Sequence, residues 1–183
     1  MISVTATVPL SLMRTAAVAR IYRYLAYLVV TRDRAAPYRH AMTPSLALDI
    51  AQTAIAQAAL RLARSTESEP VFNHSVRSYL FAELLAAHES MRPGKDYDSE
   101  TLFLACVLHD LGAGTAAAGK ERFEVEGADL AAGLLTDHNY AREVVDTVWE
   151  AIALHSSSGI AERRGPICYL VRRGVIADFG RNA

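Results

Sequence analysis

Residues 101–110 read TLFLACVLHD, and this run decides the class of fold. It is almost wholly apolar until its last two residues. A helix that is apolar on every side is buried inside a domain, so the run predicts a buried helix. Asp98 or Ser99 is placed to cap the first free backbone N–H groups of that helix. The run ends on two ionisable side chains, His109 and Asp110.

The rest of the chain also follows helical patterns, and no stretch alternates convincingly with the period of two that a strand requires. Gly112 and Gly114 are expected to end the buried helix. Other helices are predicted over residues 45–64, 71–90, 125–135 and 141–155 and from Pro166 onward, with Gly174 as a break in the last. The segment STESEP, residues 65–70, is predicted to be a polar break. The fold class is therefore all-α.

Length and composition fit one globular domain. The chain has 183 residues, 51% hydrophobic and 21% charged, which excludes wholesale disorder. Its net charge of −1 gives no general attraction to nucleic acid or to anionic membranes. Cys106 and Cys168 have apolar neighbours and form no disulfide framework, so a cytoplasmic protein is expected. We place the compact domain at residues 43–183, after a basic arm or helix over residues 1–42.

The basic N-terminal segment carries six arginines and one acidic residue within residues 1–40. Its longest apolar stretch, residues 21–30, contains Arg23. This stretch is shorter than the roughly 20 residues that a bilayer-spanning helix needs. Tyrosines beside arginines there suit a membrane interface, but packing on the domain is the simpler interpretation, and we assign no membrane role. The apolar helix over residues 45–64 suits either the domain's own core or a homodimer.

His109 and Asp110 are the strongest candidates for chemistry. Two adjacent ionisable groups at the end of a buried helix lose hydration, and a divalent metal compensates because imidazole and carboxylate are both good ligands. The alternative, which the dipeptide alone favours, is a His that interacts with the helix dipole beside a capping Asp. Two more residues shift the balance toward a metal. They are His74, early in a predicted helix, and Asp178, inside an apolar stretch.

The order His74, His109–Asp110, Asp178 resembles the histidine–aspartate (HD) domain of metal-dependent hydrolases. Five strings narrow the resemblance to the cyanamide hydratase-like branch of that superfamily. These strings are FNHSVRSYLFAELLA (72–86), LACVLHDLG (104–112), RFEVEGADLAAGLL (122–135), VWEAIALHSSSGIA (148–161) and GVIADFG (174–180). They are specific in combination and weak separately.

The resemblance implies an HD-domain helical bundle whose activity adds metal-activated water to a small nitrile, converting cyanamide to urea. Carried over residue by residue, it implies His74, His109, Asp110 and Asp178 as metal ligands. It implies zinc (Zn²⁺), with Mn²⁺ and Fe²⁺ as alternatives, and a small-molecule substrate with no nucleic acid. Only five residues follow Asp178, fewer than relatives usually have, so we expect this ligand to be poorly held.

Residues 122–128, RFEVEGA, depart from the pattern of two-metal HD phosphohydrolases. Many of those enzymes place a further His shortly before a Gly-Ala pair, and Phe123 takes its approximate place here. Phenylalanine cannot bind a metal, so a single metal and a partly apolar pocket are predicted. Such a pocket suits a small neutral substrate better than a phosphate ester, whose charge calls for two metals or an Arg clamp.

His155 and Asp110 are the predicted catalytic groups. His155 stands at the end of a predicted helix, where it or a ligating carboxylate would give a proton to the substrate nitrogen. The alternative is a His that is satisfied by the last carbonyls of its helix. His40, His88 and His138 lie in polar contexts and are left out of the site.

Four side chains are predicted to contact the substrate. Asn73 is next to the predicted ligand His74. Phe123 and Trp149 would form apolar walls that admit a flat, uncharged molecule. Thr115 follows the His-Asp pair and is able to hydrogen-bond the substrate, although Thr in a Gly-rich loop is usually only a turn residue.

Two other functions stay open from the sequence. An HD phosphohydrolase acting on a nucleotide or phosphate ester would need basic residues at the pocket, and Lys120 and Arg122 would supply them. A non-catalytic HD-like module, with a structural metal or none, would use the basic residues 1–40 as its binding part.

Overall fold

The computed structural model describes residues 53–180 of the chain, and within this range it contains α-helices and no β-strand. The helices are α1 (Ala54–Thr66), α2 (Glu69–His88), α3 (Ser99–Leu108), α4 (Phe123–Asp137), α5 (Arg142–Leu154) and α6 (Pro166–Asp178). Short 3₁₀ turns, Leu111–Ala113 and Ala161–Arg163, follow α3 and α5. The predicted all-α fold is confirmed. The predicted domain boundary, the basic segment and the predicted helix start at residue 45 lie outside the described residues.

Two of the described helices, α1 and α3, are capped by the side chain that precedes them. The Thr53 hydroxyl accepts a hydrogen bond from the Ala56 backbone N–H at 3.2 Å and caps α1. The Asp98 carboxylate accepts one from the Thr101 backbone N–H at 2.7 Å, so Asp98 is the cap of α3. Pro166 begins α6, as predicted.

Helix α3 is the centre of the bundle. Every residue from Thr101 to His109 is buried, and α3 packs against each of the other five described helices. Burial on all sides explains why this sequence has no polar face. The C-terminal end of α3 therefore delivers His109 and Asp110 to the interior. Within residues 53–180, none of the helices has the length and apolar character needed to cross a membrane.

The turn after α3, residues 109–112, lies directly against the start of α4, and we call it the HD turn. A Cβ atom on Gly112 would lie 1.8 Å from the backbone oxygen of Phe123. On the other side, a Cβ atom on Gly127 would lie 3.0 Å from the backbone nitrogen of Gly112. Helix α3 already ends at Leu108, ahead of both predicted terminating glycines. Gly112 is thus required for the close approach of two backbones.

The predicted break at Gly174 is wrong, because α6 continues through this residue to Asp178. A Cβ atom at position 174 would lie 2.3 Å from the backbone oxygen of Ser78 and 3.0 Å from the Cβ atom of Ala82, both on α2. Glycine here allows α2 and α6 to pack closely. Since His74 is on α2 and Asp178 ends α6, this packing also brings two predicted site residues together.

Candidate metal centre

His109 directly follows α3 as its C-cap, and its imidazole is 0% exposed. Its Nδ1 lies 2.8 Å from the backbone oxygen of Cys106. A carbonyl oxygen can only accept, so Nδ1 carries the proton and Nε2 of the neutral ring has a lone pair. That Nε2 lies 3.3 Å from Oδ2 of Asp110. The helix end thus presents one nitrogen and one carboxylate at the same point.

His74 approaches the same carboxylate from α2. Its Nε2 lies 3.9 Å from Oδ2 of Asp110, and its ring centroid lies 5.1 Å from that of His109. Its other nitrogen, Nδ1, lies 2.6 Å from Oδ2 of Asp178 and donates to it. The Asp178 carboxylate therefore fixes the tautomer and orientation of His74, as a carboxylate often does for a metal-binding His.

Asp178, which we expected to be poorly held, accepts three hydrogen bonds. Besides the bond from His74, Arg77 Nε donates to Oδ1 at 2.6 Å and an Arg77 terminal nitrogen donates to Oδ2 at 2.9 Å. These bonds outweigh burial, which alone would raise the pKa, and the pKa of Asp178 is lowered. The contacts give Asp178 the role of orienting His74. Its predicted role as a fourth metal ligand stays a prediction.

His155 brings a third imidazole to Asp110 from the end of α5. Its Nδ1 donates to the backbone oxygen of Ile152 at 2.7 Å, and its Nε2 lies 3.8 Å from Oδ1 of Asp110. Burial and the neighbouring His109 lower the pKa of His155 to about 4. A neutral ring protonated on Nδ1 offers a lone pair at Nε2. The contacts therefore favour an acceptor or ligand role over the proton-donor role predicted for His155.

The donor set fits a divalent metal ion. Within the described part of the chain, Nε2 of His74 and Nε2 of His109 are buried and have no hydrogen-bond partner. One ligand atom from each of His74, His109 and Asp110 lies within 4.8 Å of the others. Unpartnered buried nitrogens are costly, and a cation bound by them and by the carboxylate removes the cost. We call these three residues the metal cluster.

The charges around the metal cluster also suit a cation. Burial alone would raise the pKa of Asp110, but His109, His155 and His74 lower it to about 2. Burial alone would lower the pKa of His109, but Asp110 raises it. The carboxylate thus stays ionised and favours a positive charge beside it, and a divalent ion would take the place of the imidazole proton.

Two phenylalanines extend the row of imidazole rings at both ends. The ring centroid of Phe179 lies 4.6 Å from that of His74, and the ring centroid of Phe123 lies 5.5 Å from that of His155. Phe123 is 39% exposed and Phe179 is 68% exposed. Phe123 thus lies against His155, and its predicted contact with the substrate stays a prediction. The two ends of this row of rings are therefore apolar and accessible.

The other predicted substrate contacts differ in their placement. Asn73 is half-buried beside His74 on α2. Thr115 binds the backbone oxygen of Thr66 through both its N–H (2.8 Å) and its hydroxyl (3.2 Å), so it tethers a loop. Trp149 donates to Asp129 at 2.7 Å on the exposed surface shared by α4 and α5. The predicted role of Trp149 as a pocket wall stays a prediction.

Three residues near the site were missed by the sequence reasoning. Arg77 lies three residues after His74 on α2, and that spacing places two side chains on one helix face, so a signal existed. Phe179 follows Asp178 directly. Glu67 is buried although it lies in the segment predicted to be a polar break. Nothing in its local sequence distinguishes it from its exposed polar neighbours.

An all-α bundle with a buried His-His-Asp cluster is the arrangement of a metal-binding HD domain. Residues 71–178 match the HD domain family, and the chain belongs to this family. HD domains hold divalent metals, and membership implies metal-dependent activity of the hydrolase or phosphohydrolase type. No curated protein matches the sequence.

Proposed function

We propose that this protein is a metal-dependent HD enzyme that adds water to a small neutral nitrile and converts cyanamide to urea. The observation that carries the proposal is the pair of exposed phenylalanine rings, Phe123 and Phe179, at the two ends of the imidazole row. An apolar rim favours a small uncharged substrate over a charged ester, because desolvating a phosphate without compensating cations is costly.

The basic side chains near the site support the same choice. Both donor groups of Arg77 that contact the site are bound to Asp178. Arg122 pairs with Glu124 at 2.8 Å and is mostly exposed. Lys120 is exposed, and its backbone N–H binds Glu126. The guanidinium groups of Arg77 and Arg122 are thus both paired with carboxylates, whereas an Arg clamp for phosphate would direct its guanidinium at the substrate.

The chain's own residues suggest how a nitrile would be handled. A divalent ion, when bound, supplies Lewis-acid activation of water. His74, His109 and Asp110 would hold that ion, and Asp178 keeps His74 in the correct tautomer. Nε2 of His155 would accept a hydrogen bond from water or from the amino group of cyanamide.

The proposal is tested by metal content and turnover together. Purified protein should contain about one divalent ion per chain by mass spectrometry, and the loaded protein should release urea from cyanamide. A generic phosphate ester should be turned over far more slowly. Release of phosphate without release of urea would overturn the proposal and favour the phosphohydrolase. Metal binding without turnover of either compound would favour a non-catalytic HD-like module.

A further inference from the structure

Glu67 is a buried carboxyl group that the metal cluster does not include. It directly follows α1 and lies before residue 71, where the match to the HD family begins. Its side chain is 9% exposed. Within the described residues, Oε1 of Glu67 is buried and has no hydrogen-bond partner, whereas Oε2 accepts from the Ser75 hydroxyl at 3.4 Å. A buried oxygen without a partner is costly and calls for an explanation.

The end of α1 is held against the HD turn and against α2. The backbone oxygen of Thr66 accepts two hydrogen bonds from Thr115, which follows the HD turn. A Cβ atom on Gly114 would lie 2.7 Å from that same oxygen, so the two segments touch. On the other side, Ser75 directly follows His74 and binds Glu67. Glu67 is therefore fixed between two of the elements that carry the metal cluster.

The charged groups that face Glu67 belong to the site. Burial raises the pKa of Glu67 to about 7; His109 acts to lower it, Asp110 to raise it, and the hydrogen bond from Ser75 to lower it. A buried carboxyl group that interacts electrostatically with site residues is a candidate for proton transfer. Glu67 thus interacts electrostatically with His109 and Asp110, and its Oε1 has no partner within the described residues.

We propose that Glu67 is a catalytic residue of this site and acts as its proton acceptor and donor. The inference rests on the proposed hydration of cyanamide. An O–H bond of the attacking water breaks and its proton moves to Oε1 of Glu67, while the water oxygen bonds to the nitrile carbon. One π electron pair of the C≡N bond moves to nitrogen. Glu67 then returns the proton to that nitrogen, which gives the isourea tautomer of urea.

Under this proposal, the catalytic side chain of Glu67 lies outside residues 71–178, which match the HD domain family. The residues that would hold the metal come from residues 74–110, within the matched range, and the proton-transferring group comes from the end of α1. A chain that began at residue 71 would therefore keep the metal cluster and lose Glu67.

The test compares Glu67→Gln with Glu83→Gln. Glu83 is a suitable control, because it is a half-buried carboxyl group that also has one buried oxygen without a partner. It accepts a hydrogen bond from Tyr97 at 2.8 Å and lies nine residues after His74 on α2. We expect Glu67→Gln to keep its metal content and its KM for cyanamide while kcat falls about 100-fold or more. Glu83→Gln should keep the wild-type kcat. A wild-type kcat in Glu67→Gln would overturn the assignment.

A second readout does not depend on turnover. The visible spectrum of the cobalt(II)-loaded protein reports charge changes beside the metal, so it should show a pH transition in the wild type and in Glu83→Gln. That transition should be lost or displaced in Glu67→Gln, and an unchanged transition would contradict the role of Glu67. If the wild type releases no urea but the transition depends on Glu67, the hydratase proposal fails and the coupling of Glu67 to the metal stands.

Should Glu67→Gln be unstable, Glu67→Asp keeps the carboxylate on a shorter side chain. Under the proposal it retains more kcat than Glu67→Gln at equal metal content. Equal kcat in the two variants would show that the carboxylate has no catalytic role.

Discussion

The ends of α3 and α5 are built alike, and only one of them carries a carboxylate. Each helix is followed by a His in the right-handed helical conformation. In each case Nδ1 donates to the carbonyl three residues earlier, at 2.8 Å for His109 and 2.7 Å for His155. The next residue differs, since Asp110 follows His109 and Ser156 follows His155.

Because of that difference, the pKa values of the two buried imidazole rings shift in opposite directions. Burial works against protonation of both rings, but the adjacent Asp110 reverses the balance at His109 and raises its pKa. The pKa of His155 is lowered to about 4. The shared backbone geometry therefore orients Nε2 of both rings in the same way. The carboxylate next to His109 is what favours a cation at that helix end. The end of α4 gives a reference, because His138 Nδ1 also binds a carbonyl, that of Leu134, but His138 is exposed.

The largest effect is expected from removing the Asp110 carboxylate, which is the feature that distinguishes the end of α3 from the end of α5. Asp110→Asn removes the charge that faces all three imidazoles, so metal affinity should fall by more than the roughly 10–100-fold typical of losing an outer partner. Helix content should be retained, because the core of α3 is unchanged. Metal per chain and far-ultraviolet circular dichroism measure the two effects. Asp137→Asn, an exposed change at the end of α4, is the control, and full metal occupancy in Asp110→Asn would contradict the assignment.

The parts of the site that the sequence predicts are those with a local signal. An apolar run marks α3 as buried, and two ionisable residues at its end are costly without a ligand. Asp98 is recognisable as a cap because it directly precedes the helix. In the same way, the order of His74, His109 and Asp110 is visible without knowledge of the packing.

The parts that escaped prediction depend on how helices approach one another. Gly174 has the composition of a helix break, but it permits contact with α2. The hydrogen bond from Trp149 to Asp129 joins α5 to α4 at the surface. Glu67 lies in a polar stretch and is buried only because the end of α1 is held against two other segments. No local pattern encodes these three outcomes.

Replacing His109 and His155 one at a time tests whether the two imidazoles contribute differently to metal binding. His109→Gln should abolish tight metal binding, since it removes a member of the metal cluster. His155→Gln should weaken metal binding by about 10–100-fold, the typical effect of a supporting group. Competition with a chelator measures both affinities, and His138→Gln is the matched control that should bind metal as the wild type does. Equal losses at His109 and His155 would instead make His155 a full ligand.

The smallest effect is expected at Ser156, which follows His155 in the way that Asp110 follows His109. There the Ser156 hydroxyl donates to Oε1 of Glu124, in the first turn of α4, and Arg122 donates to the same oxygen at 2.8 Å. Burial alone would raise the pKa of Glu124, but these two hydrogen bonds lower it to about 2. The end of α5 is thus tied to α4 by a carboxylate on the neighbouring helix.

Because the folded-state pKa of Glu124 lies below its ordinary value of 4.5, the carboxylate contributes stability above pH 4.5 and loses it as the pH falls toward 2. Glu124→Gln should therefore lower the free energy of unfolding by about 1–2 kcal/mol near neutral pH. The difference from the wild type should shrink below pH 4.5. Urea unfolding of chelator-treated protein at several pH values measures it, with Ser156→Ala removing one of the two bonds. A difference that did not change with pH would mean that packing, and not the carboxylate charge, joins α5 to α4.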